Sequence, residues 1–300
     1  TYMFVMSHLA RISYSLDAVQ ILNVFLMFFV SITLMFTLAW CEIDPRRFAV
    51  WALCPVVILE GAVAGHLEII MSFLFSVSIL SASFGMPFIS AIFLSLVGGI
   101  KWWPYILLLP LSRVFPDRLI TILVASSLTF YLLYAYVGVG ITEQTASLLT
   151  FSKEFEFGNP IFDLLKLLAG ATVARYCLLF AFIVTFAQRS VSKAPLSEIL
   201  RDVYLGFLIF SPVIYPWYAV PMLLFLAISF SWPILLIVLV LPLSYSAKIQ
   251  FIEKGEWKVP PQMNTFIWMV IALCLCSLFA SSKRKPKSLA VESLPEASVG

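Results

Sequence analysis

Residues 18–41 read AVQILNVFLMFFVSITLMFTLAWC, a run without a single charged side chain. Crossing the hydrocarbon core of a bilayer as a helix takes about 20 apolar residues, and this run meets that length, as do 119–140, 161–187 and 262–281. A membrane β-barrel needs segments of alternating polarity, whereas these are continuously apolar. The rest of the composition agrees with a bilayer as solvent: of 300 residues 62% are hydrophobic and 12% charged, with a mean hydropathy of +1.01. No soluble domain has use for so much apolar surface.

Breaks at Pro, Gly and charged residues divide the chain into helical segments at 18–41, 47–64, 67–84, 86–100, 102–114, 119–140, 161–187, 197–214, 217–229, 232–247 and 262–281. Several are too short to span alone, and backbone that ends part-way through a membrane is tolerated only when buried in protein or facing a wet cavity. The expected architecture is therefore an all-α, polytopic integral membrane protein of about eleven spanning or half-spanning helices. It occupies residues 1–282, with a disordered cytoplasmic tail at 283–300. No internal repeat of the kind that builds many secondary transporters is visible.

The basic residues orient this parse. Placing the tail inside and alternating back along the chain puts DPRR (44–47), RVFPDR (113–118), RSVSK (189–193) with Arg201, and KRKPK (283–287) in the cytoplasm. Eleven of the 19 Lys and Arg residues then lie on that side, six on the other and two inside a helix, as the positive-inside rule requires. The expected location is a plasma membrane, of the bacterial inner type, crossed many times. The same parse sends GAVAGHLE, GGIKWW, the 141–160 loop and IYPWY to the opposite, extracytoplasmic face. A net charge of +3 gives no reason to expect a nucleic-acid partner. Five cysteines without metal spacing read as core or lipid-facing residues.

Four stretches on that face carry unusual chemistry. In ILEGAVAGHLEII (58–70), Glu60 closes one segment while His66 and Glu68 open the next. They either line a cavity for a polar head group or serve the helix start, Glu68 at the positive dipole end and His66 as a cap. GGIKWWPYILLLP (98–110) sets Lys101 beside two tryptophans and a tyrosine. It is either a snorkelling lysine in an aromatic belt or a partner for a lipid phosphate. In SKEFEFGNPIFDLLK (152–166), Asn159 before Pro160 predicts a helix start, and Asp163 and Lys166 stand at the spacing of a local ion pair. Arg175, deeper in that apolar run, needs a buried partner or water. SPVIYPWYAVPML (211–223) brings Tyr215, Trp217 and Tyr218 together among three prolines, either to stack on a sugar or head group or to anchor the interface. No phosphate-binding glycine loop, nucleophile triad or metal-ligand spacing occurs, so any catalysis would come from carboxylates.

Taken in order, these stretches resemble a family. CPVVILEGAVAGHLEIIMSFLF is similar to the NP…GHND helix pair of bacterial polyprenol-phosphate-mannose-dependent mannosyltransferases and their relatives. GGIKWWPYILLLP resembles the K…P…P segment that follows in them, KEFEFGNPIFDLL their WEFN loop, and SPVIYPWYAVPML their P…HPWY turn. Order and spacing agree over roughly residues 45–245. At the family's Trp, His and second Asp this chain has Phe155, Tyr215 and Glu68.

The resemblance implies a GT-C-like bundle and a transferase moving a hexose, with mannose as the first candidate, from a polyprenyl-phosphate donor to an extracytoplasmic glycan or lipid acceptor. It places Lys101 at the donor phosphate and His66, Glu68, Glu156, Tyr215, Trp217 and Tyr218 near sugar or acceptor. Such enzymes take the acceptor proton with an aspartate of the first outer loop, here expected upstream of Thr1. They often support the leaving phosphate with a divalent metal or basic residues; no metal ligands are identified, so no cofactor is expected and Lys101 takes that part. The other readings are a non-catalytic membrane subunit of a larger complex derived from the same fold, and a lipid or solute transporter.

Overall fold

A computed structural model describes residues 15–137, 150 and 155–283. The tail beyond 283, most of the 141–154 stretch and everything before Ser15 lie outside the described residues. Among the described residues 82% are helical, and the sole β-type pairing is a single parallel bridge between Phe157 and Val213.

The helices are α1 (Leu16–Trp40), α2 (Glu68–Ser83), α3 (Pro87–Gly98), α4 (Leu108–Val114), α5 (Leu119–Val137), α6 (Pro160–Ala169), α7 (Ala171–Ser190), α8 (Leu196–Phe210), α9 (Val220–Ile228), α10 (Trp232–Val240), α11 (Ser246–Lys254) and α12 (Pro261–Lys283). Proline occupies the first turn of α3, α6, α9 and α10, where its fixed φ helps and its missing N–H costs nothing. Among the described residues five spans are long and apolar enough to cross a membrane: Leu16–Trp40, Pro116–Leu133, Ala171–Ser190, Trp232–Lys254 and Pro261–Ala280. A sixth is reached if the pair Pro55–Val63 and Glu68–Ser83, bent by 117°, is one broken span. The protein is thus a multi-pass membrane helical protein, with five or six of the roughly eleven expected spanning or half-spanning segments meeting the length of a full span among the described residues.

Two apolar runs differ from their expected continuity. The segment 47–64 is broken into Phe48–Ala52, Pro55–Val57 and a π-helical turn at Ile58–Val63, because Pro55 cannot continue the preceding ladder. The run 161–187 is two helices, α6 and α7, parted at Gly170 with φ of 83°, a backbone region that glycine reaches without strain.

The exterior is as apolar as a bilayer-facing surface must be: on α1 alone Phe25, Phe28 and Phe36 are each about 60% exposed, a polarity that water would penalise and lipid does not. The interior is closed around α9, whose nine residues are all buried. At 1.5 Å per residue it is only about 14 Å long, so it cannot span; it is a core helix packed by α2, α8 and Phe48–Ala52. α2 meets α1 and α3 through small polar residues, Thr33 donating to Ser76 at 2.7 Å and Ser78 to the Ser90 carbonyl at 2.9 Å. Such side chains let helices approach closely in lipid.

The bundle has two chemically distinct ends. At one, arginines take up the carbonyls that helix C-termini leave without intrahelical partners: Arg47 donates to Ile228, Arg201 to Ser229, and Arg113 to Ser190. Asp202 joins Arg189 and Arg201 there. The start of α1, the 61–68 turn, Lys101, the 156–160 loop and 211–218 meet at the other.

Gly98, at the last turn of α3, lies against the Tyr105 ring so closely that an added Cβ would sit 2.6 Å from its carbons. Gly98→Ala is expected to cost about 1–3 kcal/mol by overpacking, read as a lowered unfolding temperature in detergent. An unchanged midpoint would show that the Tyr105 ring yields freely.

Candidate functional site

The site begins with a turn that α1 holds in place. After the π-helical residues the chain reverses through Gly65, φ 72°. Buried Asn23 spans the reversal, its amide donating to the Gly61 carbonyl at 3.1 Å and the His66 carbonyl at 3.0 Å. Gln20 adds a bond to the Val63 carbonyl. Glu60 and His66 thereby face each other: Glu60 is 1% exposed, accepts from the Tyr245 hydroxyl at 2.7 Å, and has one carboxylate oxygen 3.4 Å from His66 Nε2. His66 does not cap α2, whose N-terminus has no side-chain cap.

Glu68, in the first turn of α2 and 3% exposed, is paired with Lys101 Nζ at 2.5 Å. The same ammonium lies 3.7 Å from the centre of the Tyr218 ring, and buried Tyr204 fixes that segment by donating to the Tyr218 carbonyl at 2.8 Å. Burial pushes the Lys101 ammonium below the ordinary lysine value, while the Glu68 carboxylate pulls the other way. The snorkelling reading of Lys101 therefore gives way to an inward one: carboxylate on one side, aromatic face on the other.

Beside this pair runs a ladder of stacked rings drawn from three distant segments. His66 lies on Trp217 at 4.2 Å, Trp217 on Tyr215 at 4.3 Å, and Tyr215 on Phe157 at 4.7 Å, with interplanar angles of 18°, 12° and 25°. Tyr215 and Trp217 are half-buried, and neither the Tyr215 hydroxyl nor the Trp217 N–H has a hydrogen-bond partner among the described residues.

Phe157 keeps its place because its loop is bonded on both sides. Its N–H donates to the Pro212 carbonyl and its carbonyl accepts from Ile214, while Trp268 donates to the Gly158 carbonyl at 2.9 Å. Asn159 caps α6 by accepting from Ile161 and Phe162, and its amide donates to the carbonyls of Ile209 and Ser211. The predicted helix start at Asn159–Pro160 is thus also the bolt that fixes the loop.

Of the residues nominated from the sequence, His66, Glu68, Lys101, Tyr215, Trp217 and Tyr218 are brought together. Glu156 is not: it turns to α6 and α7, bound by Lys166 at 2.5 Å and Arg175 at 2.8 Å. Lys166 therefore pairs across the loop rather than with Asp163, and Arg175 has the carboxylate partner its position requires in half-buried Glu156. Phe157, Tyr204 and Tyr245 belong to the site without having been singled out in the sequence, whereas Glu60 had been, beside His66 and Glu68. A carboxylate inside an apolar segment always needs an explanation; Tyr245 and Tyr204 carry no local signal.

Among the described residues no three His, Cys, Asp or Glu side chains gather in a way that could hold a metal ion. No family model, curated protein or solved structure matches this chain. The resemblance to the mannosyltransferases accordingly rests on the sequence stretches alone.

Proposed function

We propose that this protein is a membrane glycosyltransferase of GT-C type, taking a hexose from a polyprenyl-phosphate donor to a glycan or lipid acceptor at the extracytoplasmic face. The observation that carries the reading is convergence: stretches at 66–68, 101, 157–159 and 215–218, which resemble the family in order, meet as one connected cluster at one end of the bundle. In this reading the ladder edge, with the unpaired donors of Tyr215 and Trp217, receives the sugar hydroxyls. An ammonium has three N–H donors, and Lys101 spends one on Glu68, leaving the others for the donor phosphate. Glu68 holds Lys101 in place. Displacement at the anomeric carbon then needs a proton acceptor for the incoming hydroxyl and charge support for the leaving phosphate.

One observation favours a second reading, a non-catalytic subunit of a membrane complex: both nominated carboxylates, Glu68 and Glu156, are committed to cations. One experiment separates the two. Purified protein in lipid nanodiscs is given polyprenyl-phosphate carrying a radiolabelled mannose, and label appearing in lipid or glycan products is followed. Time-dependent transfer that is lost in Trp217→Leu supports the enzyme; no transfer, with the protein recovered in a larger membrane assembly, selects the subunit.

A further inference from the structure

Among the described residues, the carboxylates committed to cations leave one acid in the site without a Lys or Arg partner, Glu60, and it is the one facing an imidazole. Glu60 lies on a π-helical turn, a local geometry found mostly where function requires it. That turn aims Glu60 at His66 across the Gly65 reversal, and three groups fix the arrangement: Tyr245 on the carboxylate, Asn23 on the two carbonyls, and Trp217 stacked on the imidazole. A carboxylate beside one imidazole nitrogen holds the proton there and leaves the other nitrogen basic, the orienting logic of acid–histidine pairs in hydrolases. The 3.4 Å separation is loose for a hydrogen bond, as is common before substrate closes a site.

We propose that Glu60 and His66 are the proton-accepting pair of this site, with His66 as the catalytic base and Glu60 as its positioning residue. This rests on the transferase reading. The acceptor hydroxyl gives its proton to His66 Nδ1 while its oxygen bonds to the sugar's anomeric carbon. The bond from that carbon to the phosphate oxygen breaks, and its electron pair leaves with the polyprenyl phosphate beside Lys101. The imidazolium so formed is stabilised by Glu60. Glu60 faces His66 at 3.4 Å, and Glu68 and Lys101 are the charged groups that act on the imidazole from further off; Tyr245 acts through Glu60 and Trp217 is uncharged.

Two measurements test the pair. In the transfer assay, His66→Gln is expected to lower kcat by about 10²–10⁴-fold with KM little changed, and Glu60→Gln to lower kcat as well. The acid limb of the Glu60→Gln rate profile should lie at lower pH, because removing a negative charge beside an imidazole disfavours the protonated ring. A purely structural Glu60 would leave that limb in place, and full transfer in His66→Gln would overturn the proposal while leaving the transferase reading intact. The second measurement needs no activity. With only two histidines in the chain, ¹⁵N-histidine labelling resolves His66 by subtraction of the His66→Gln spectrum. Neutral His66 should carry its proton on Nε2, and its titration should move to lower pH in Glu60→Gln; an Nδ1–H tautomer, or an unmoved titration, would overturn the pair.

Discussion

Lys101→Met lowers stability by about 3–5 kcal/mol, the cost of stranding one member of a buried ion pair, because Glu68 is only 3% exposed and has no other cation within contact among the described residues. Methionine keeps much of the stem volume and the contact with Tyr218, so the loss isolates the charge. Adding Glu68→Gln removes the stranded carboxylate, and the double variant should recover most of the deficit; the cycle measures the coupling directly. Thermal unfolding in detergent reads all three proteins. A Lys101→Met protein as stable as the parent would mean that Glu68 is not held by Lys101 alone. The cycle also disentangles catalysis from folding: if Lys101 meets the donor phosphate, the refolded double variant remains defective in transfer.

Asn159→Ala costs about 3 kcal/mol and disconnects the ladder. The side chain makes four hydrogen bonds, two as the cap of α6 and two to the carbonyls that end α8. Losing a cap is worth about 1 kcal/mol, and each buried carbonyl left without its donor adds about 1 kcal/mol or more. Asn159→Asp separates the roles: aspartate caps a helix as well as asparagine does, but it cannot donate to Ile209 and Ser211, and its charge would face their carbonyl oxygens. It should therefore be no better than alanine. If Asp restores stability, the carbonyl bonds carry nothing and capping is the whole effect. In either variant the loop loses its bolt, so Tyr215 no longer has Phe157 fixed beneath it.

The legible parts of this molecule are those that local sequence determines. Hydropathy decides that α1, α7 and α12 face lipid, and Asn159–Pro160 announces a helix start. Alternation of basic turns separates the same residues that the two ends separate, with His66, Lys101 and Trp217 at one and Arg47, Arg113 and Arg201 at the other. What stays hidden is whatever depends on packing between segments. The 47–64 run reads as one apolar helix, yet Asn23, some 40 residues earlier, supplies the bonds that let it unwind and turn. Lys166 has an acid at the right helical spacing in Asp163, but folding of the loop brings Glu156 closer, and the tertiary pair wins. Lys101 reads as an interfacial lysine until Glu68 and Tyr218 are seen to enclose it. Single-residue chemistry was visible; which acid meets which base was not.

In the proposed transferase the cluster of His66, Lys101, Tyr215 and Trp217 receives the phosphate-linked sugar of a lipid carrier. The most direct test of this claim is equilibrium binding in nanodiscs, comparing a polyprenyl-phosphate hexose with the same polyprenol bearing neither phosphate nor sugar. Saturable binding of the phosphate-linked sugar, much tighter than that of the bare polyprenol and lost in Trp217→Leu, is the predicted result. Equal binding of the two lipids, or binding indifferent to Trp217, would contradict the claim.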